Sequence, residues 1–303
     1  MTPRPNILDR PDRPNNPIKS ILITVDVEDW FQVENLRSAF PIETWDSHEL
    51  RLEKSTHHLL DLFARHGIQA TFFVLGWIAE RLPHLVSEIQ KFGHEIASHG
   101  YHHELCSGLV CTTLRDDLLR SKTLLEDISG RPVVGYRAPS FSVTHDLIDT
   151  LGELGFRYDS SYNNFTMNKR YGQVNGFFQQ RNDGYLVSEN GMVELPISNL
   201  SMFGKIIPWG GGGYFRLYPS MVFASGVSRI LKEKNYYNFY CHPWEFDPDQ
   251  PSASGIGVLS RFRHYLNLDK TLNRLDRFLH RFKDCNFVTC SQYLDLCDHP
   301  EVF

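Results

Sequence analysis

The sequence predicts an α/β chain folded as a (β/α) barrel, distorted or incomplete. From Ile21 onward, short apolar runs alternate with helical patterns in about seven β-α units, and such units imply a parallel sheet covered by helices. Several of those runs lead directly into an Asp, His or Arg. In barrels of this kind the chemistry sits at the C-terminal ends of the strands. The 303 residues are enough for a single domain, predicted here over 20–298.

Residues 1–19 hold five prolines and little to bury, and read as a flexible arm. Ile21–Val27 is an apolar run leading into acids, as suits a buried parallel strand. Apolar positions then recur with helical rhythm from Leu52 to His66, and Gly67 stops them. Gln69–Leu75 is the next strand, two short helical stretches flank Pro83, and Glu95–Ser98 is a strand running into His99. A helix over 113–129 ends at Gly130, and Pro132–Tyr136 leads to Arg137. Thr144 is the N-cap of a helix over 144–154 that Gly155 stops, before a strand over Phe156–Asp159. Residues 160–218, rich in Asn, Gly and aromatics, break the rhythm as an irregular insertion with one strand near Met192–Pro196. A helix over 221–232, a strand over Asn238–Cys241, a helix over 269–282 and a strand over Asn286–Cys290 restore it.

Composition narrows the function. Hydrophobic residues are 41% and charged residues 22%, as in an ordinary globular protein. A net charge of −5, a pI near 6.3 and scattered cations give no electrostatic reason to expect nucleic acid or an anionic membrane. No apolar stretch reaches the roughly 18 residues of a membrane span. The six cysteines, irregularly spaced and without a C-x-x-C pair, read as reduced thiols, and the N-terminus shows no secretory pattern. The expectation is a cytoplasmic protein. Aromatic residues at 13% suit sugar stacking, although most such rings fill cores.

Four clusters follow strands. Asp26, Glu28 and Asp29 crowd three acids into four positions, which a bound cation makes tolerable. His99 and His103, at i and i+4, converge on one metal if the segment makes a helical turn, and imidazole with carboxylate is a common hydrolytic zinc set. His102 points away on this reading, and His94 is structural. Arg137, before Ala138 and Pro139, can hold a carboxylate ionised. His242, in C-H-P-W-E, can give a proton to a leaving amine. Each cluster alone has a bland explanation, as a solvated strand end, a surface arginine or a structural histidine. Their shared position at strand ends outweighs those.

These motifs, in this order over residues 20–295, resemble the polysaccharide deacetylases of carbohydrate esterase family 4, the NodB-homology group. The resemblance implies a seven-stranded NodB-like barrel and removal of N-acetyl groups from an amino-sugar glycan or its lipid- or nucleotide-linked precursor. Stretches such as T-V-D-V-E-D-W-F, G-G-G-G-Y-F-R and H-P-W-E-F-D-P are similar to the subgroup encoded with exopolysaccharide and exosortase gene clusters. By this likeness Asp26 is the base, held by Arg137. His242 is the acid, raised by Glu245 or Asp159. His99 and His103 bind a divalent metal, zinc by donor type, with Glu28 preferred and Asp29 as the rival third ligand. Pro139, Asp159 and Trp244 fall on the substrate side. Two departures stand out: Asp-Val-Glu-Asp replaces the usual adjacent aspartates, and Gly100 replaces a Ser or Thr.

Trp209, the Gly210–Gly213 run, Tyr214 and Arg216 form either a mobile sugar-binding flap or a plain connector. No G-x-x-x-x-G-K-S/T sequence is present, so the glycines do not make a nucleotide P-loop. Arg261, Arg263 and His264 bind a substrate anion or sit on the surface. The rival functions are a cyclic amide or imide hydrolase of the allantoinase-like type and a catalytically silent carbohydrate-binding protein.

Overall fold

The computed structural model describes residues 19–298, apart from 169, 173, 175, 182 and 183. The expected N-terminal arm lies outside the described residues except for Lys19. In chain order the elements are β1 (Ser20–Val27), α1 (Leu52–His66), β2 (Thr71–Val74), α2 (Gly76–Arg81), α3 (Pro83–Lys91), β3 (Glu95–Ser98), α4 (Cys111–Ser129), β4 (Gly135–Tyr136), α5 (His145–Glu153) and β5 (Tyr158–Asp159). There follow β6 (Phe178–Gln180), β7 (Leu186–Ser188), β8 (Val193–Glu194), β9 (Asn199–Met202), β10 (Lys205–Pro208), α6 (Gly212–Leu217) and α7 (Ser220–Lys234). Last come β11 (Tyr236–Cys241), α8 (Val258–Tyr265), α9 (Leu268–Arg281), β12 (Asn286–Phe287) and α10 (Cys290–Asp298).

Seven parallel strands run in the order β11-β1-β2-β3-β4-β5-β8, and β7 and β6 extend the far edge antiparallel. β12 pairs with the start of β1. All eight residues of β1 are buried, because neighbours and helices cover both its edges and its faces. The predicted incomplete barrel is thus present. The local signals hold as well. Gly67 and Gly130 end α1 and α4 in the left-handed conformation, with φ of 62° and 65°. The Thr144 hydroxyl accepts from the Leu147 amide at 3.1 Å to start α5.

Three expectations need correction. The strands expected over 132–136 and 156–159 pair only over two residues each, where Gly135 lets the Tyr158 ring approach to a distance that a Cβ would obstruct. The segment 160–218 is more ordered than its sequence suggests: it carries β6 to β10 and α6, whose short polar strands show no clean alternation. Helices α8 and α10 had no sequence signal; α8 is short and turns several apolar side chains outward.

No ladder joins β8 to β11 among the described residues. Isolated hydrogen bonds bridge this seam instead, one of them from the Ser198 amide to the Asn238 carbonyl at 3.4 Å. Asn238 Nδ2 donates to the Leu195 carbonyl at 3.1 Å and to Ser160 Oγ at 3.0 Å, and the Tyr236 hydroxyl donates to the Pro196 carbonyl at 3.1 Å.

Beside the seam, Asp159 and Glu194 lie fully buried, each with one carboxyl oxygen lacking a described partner. Burial raises both, Asp159 to about 6 and Glu194 well above the usual range, because two carboxyls buried side by side resist ionising together. The folded state therefore binds more protons than the unfolded chain, and stability falls as pH rises from about 4 through 6 and beyond, with a limiting slope of about 1.4 kcal/mol per pH unit per proton. Glu194→Gln, which keeps a donor without the titration, is expected to flatten that fall in urea melts between neutral and alkaline pH. Parallel slopes for both proteins would count against the shared proton.

Candidate active site

The site assembles at the C-terminal ends of β1, β3, β4 and β11. The chain turns tightly after β1, with the Glu28 amide donating to the Asp26 carbonyl at 3.0 Å. This turn separates the acids. Asp26 and Glu28 enter the barrel mouth, 2% and 3% exposed. Asp29 goes the other way, accepting from the backbone amides of Trp30 (2.8 Å), Arg51 (2.6 Å) and Leu52 (3.0 Å), and so fixes the start of α1. Asp29, one of the two acids expected beside His99 and His103, is thereby turned away from them, and Glu28 is the acid that faces them.

His99 follows β3. Its Nδ1 lies 2.8 Å from the Arg137 carbonyl, which can only accept, so Nδ1 carries the proton and Nε2 is left free for a ligand. The segment to His103 is not the helical turn expected. It bends through Gly100 (φ 74°) and His103 (φ 55°), and the rings still converge to 5.3 Å between centroids. Asp117 holds the bend by accepting from the amides of Tyr101 (2.8 Å) and His102 (3.3 Å). A Cβ on Gly100 would meet Asp117 Oδ2 at 2.9 Å. Gly100→Ala is expected to destabilise the fold by about 1–2 kcal/mol, read by thermal melting, because its backbone is left-handed and its space is filled.

Glu28 Oε2 lies 2.7 Å from His103 Nε2 in an ion-pair contact, and the buried His103 Nδ1 has no hydrogen-bond partner. Donor atoms of Glu28, His99 and His103 all fall within 4.8 Å of one another. Two imidazoles and a carboxylate facing a common point, with an orphaned nitrogen among them, fit a divalent cation. Burial opposes ionisation of Glu28, but His103, His242 and His99 outweigh it and hold its carboxyl well below the usual range. Burial lowers His99 to about 4, so it is neutral and able to ligate.

Arg137 is wholly buried inside the barrel. Nη1 donates to Asp26 Oδ1 and Thr24 Oγ1, both at 2.7 Å, while Nε and Nη2 reach the Ser160 carbonyl (3.0 Å) and hydroxyl (2.9 Å). Across the mouth, His242 Nε2 stands 3.8 Å from Asp26 Oδ2 and 3.5 Å from Glu28 Oε1. Glu245 Oε2 accepts from both the His242 amide and its Nδ1, each at 3.1 Å, and Glu245 Oε1 binds Arg216 Nε at 2.8 Å. Burial works against charging His242, but Glu28, Glu245 and Asp26 raise it to about 9. Of the two expected carboxylate partners, Glu245 has this place and Asp159 does not.

Trp244 is a wall of the site. Its Nε1 donates to Glu28 Oε1 at 3.2 Å, and its indole stacks between His242 (5.3 Å, 21°) and His264 (4.3 Å, 9°). His264 was expected on the surface or on a substrate anion; it is buried, with Nε2 2.6 Å from Gln250 Oε1. Its role was not readable because it depends on where α8 packs.

A cleft of about 250 Å³ opens over these groups, lined also by Ser140, Phe141, Tyr171, Tyr214, Phe262 and Arg263. Ser140 and Phe141 are both left-handed, at φ 52° and 58°, a strain that tends to persist at functional sites. Tyr214, expected on the substrate side, lines this cleft. Arg216 lines the cleft but is spent on Glu245 and the carbonyls of 263, 264 and 266. Three other expectations fail. Pro139 lies behind the wall, and Asp159 lies beside the seam. Trp209 is buried against Tyr218 and Phe223, its Nε1 donating to the Phe223 carbonyl at 2.8 Å. The glycine run is a packed connection, not a flap: Gly211 bridges to Tyr240, where a Cβ would meet the Tyr240 carbonyl oxygen at 2.1 Å. Arg261 binds the Ala253 carbonyl and the Ser252 hydroxyl.

Comparison with known proteins agrees with this geometry. Residues 15–158 match the family model described as polysaccharide deacetylase, and residues 160–295 match a domain of unknown function, DUF3473. Over 105 residues the chain is 40% identical to a peptidoglycan deacetylase-like protein of Gibberella zeae, covering 34% of this chain and 31% of that one. It is 34% identical over 110 residues to a peptidoglycan deacetylase of Helicobacter pylori, covering 36% and 38%. With a peptidoglycan-N-acetylglucosamine deacetylase of Bacillus cereus it shares 31% over 102 residues, covering 34% and 47%. The matched stretch spans less than half of each of these relatives. Two solved structures share the fold. One is a Mycobacterium smegmatis protein provisionally described as a polysaccharide deacetylase (TM-score 0.63, 20% identity, 97% of this chain and 96% of that). The other is a carbohydrate esterase family 4 pseudoenzyme from Bacillus anthracis (TM-score 0.54, 14% identity, 93% and 67%).

Proposed function

We propose that this chain, whose residues 15–158 match the polysaccharide deacetylase model, hydrolyses N-acetyl groups from an amino-sugar glycan or its precursor with the help of a divalent metal, zinc by the donor set. The observation that carries this reading is the convergence of Glu28, His99 and His103 between Asp26 on one side and His242 on the other.

Glu28, His99 and His103 would hold the metal. A metal so held acidifies water and polarises a carbonyl. Asp26 takes the proton from the attacking water. Its Oδ1 is fixed by Arg137, so the free oxygen, Oδ2, is the one that faces the mouth. His242 gives its Nε2 proton to the leaving amine, and Glu245 orients the ring from Nδ1. Trp244 steadies Glu28 through its indole N–H. Tyr214 and Phe262 offer aromatic surface for a sugar at the rim. The relatives named for peptidoglycan and N-acetylglucosamine deacetylation support this class of substrate. A silent binding protein would have no use for base, acid and ligand trio together, and all five of those side chains stand in place here.

The test is acetate release from N-acetylglucosamine oligomers, with chelator and zinc or cobalt add-back, beside His99→Ala. Release that chelator abolishes, metal restores and the variant lacks is the expected result. A protein that binds metal but releases no acetate would move the substrate to another acyl or cyclic amide. A protein that binds no metal would overturn the reading.

A further inference from the structure

We propose that the outward face of α8 is a docking surface for an anionic lipid bilayer, seating the mouth of the cleft against the membrane. Val258, Leu259 and Phe262 are 86%, 62% and 53% exposed on this one helix, and Leu217 beside it is 47% exposed. Phe262 and Leu217 also line the cleft, so the apolar surface continues into the site's rim.

Charge selects the partner. Between Asp249 and Asp269 the stretch 250–268 holds Arg261 and Arg263 and no Asp or Glu, in a chain whose net charge is −5. Arg261 and Arg263 are exposed within that stretch and form no ion pair with a described residue. The whole-chain charge, which gave no reason to expect a membrane, conceals this local excess of cations. Apolar side chains flanked by uncompensated arginines are what an interfacial helix presents to headgroups. Docking here is weak and reversible, since an eight-residue helix with few apolar side chains inserts shallowly.

The surface goes beyond the hydrolytic reading. It rests on that reading in one respect only, that the substrate class facing the cleft would then be a lipid-linked amino sugar. Cosedimentation without turnover separates the two. The full chain is spun with vesicles of phosphatidylglycerol mixed with phosphatidylcholine, and with phosphatidylcholine alone, at low and high salt. Binding is expected to the anionic vesicles, to weaken with salt, and to fall at least about tenfold in Val258→Glu/Leu259→Glu and severalfold in Arg261→Gln. None of these three residues lines the cleft. Circular dichroism melts identify a variant that has merely unfolded, in which case Arg261→Gln carries the comparison. A wild-type chain that stays in the supernatant with anionic vesicles at low salt, or variants that sediment equally well, would overturn the proposal.

Discussion

Asp26→Asn is expected to slow acetate release by about 10²–10⁴-fold while leaving the bound metal at its wild-type stoichiometry. Asparagine has nearly the same shape. Its amide oxygen can still accept from Arg137 Nη1 as Asp26 Oδ1 does at 2.7 Å, so the barrel mouth need not rearrange. The other position changes in kind, because the oxygen that faces His242 becomes an amide nitrogen with no basicity. Glu28, His99 and His103 are untouched, so the metal content measured by mass spectrometry on the same sample should not move. A variant that keeps turnover within tenfold would remove Asp26 from the role of base. A variant that loses the metal as well would make it a ligand.

Arg137→Met is expected to cost about 3–5 kcal/mol of stability, the range for removing one partner of a buried ion pair. The guanidinium satisfies Asp26, Thr24 and two oxygens of Ser160 in a site without solvent. A thioether of similar length fills much of the space but leaves Asp26, Thr24 and Ser160 without their buried donor, with His242, 3.8 Å away, as the remaining cation beside Asp26. Turnover should fall with stability, since Asp26 Oδ1 is no longer held in place. Urea unfolding gives the first effect and acetate release in native buffer the second. A loss below about 1 kcal/mol would mean that water or another cation already compensates Asp26.

The chemistry of this chain was readable where it is local. His99, Arg137 and His242 each follow a strand, and a buried parallel strand announces itself as an apolar run; Asp26 closes such a run. Glu245 was readable too, being three residues beyond His242 at a turn. The choice between Glu28 and Asp29 was not, because neighbouring acids differ only in which way a turn throws them, and α1 decides that by offering its free amides to Asp29. His264 and Arg216 were beyond reach for a related reason. Their places depend on the packing of α8 against α6, which no short-range pattern encodes. Trp209 was misplaced because an aromatic beside a glycine run looks like a binding loop, whereas here the glycines admit the Tyr240 backbone and Trp209 fills the space above Gly226. In the same way the two halves matched by different family models meet in one cleft: Asp26, Glu28, His99 and His103 come from the first, while His242, Glu245 and Trp244 come from the second.

The unlaced side of the barrel has a consequence for how this scaffold can vary. In a fully closed barrel the number of strands, their tilt and their stagger are bound by one geometric condition, so a strand cannot be added without shifting all the others. Between β8 and β11 that condition is released, since a few isolated hydrogen bonds stand in for a ladder. β7 and β6 extend the sheet at this margin; the strand ends that carry Asp26, His99 and Arg137 are on the laced part of the wall, while β11, which leads to His242, borders the seam. The seam is the edge where length can accumulate with the least disturbance to the rest of the sheet.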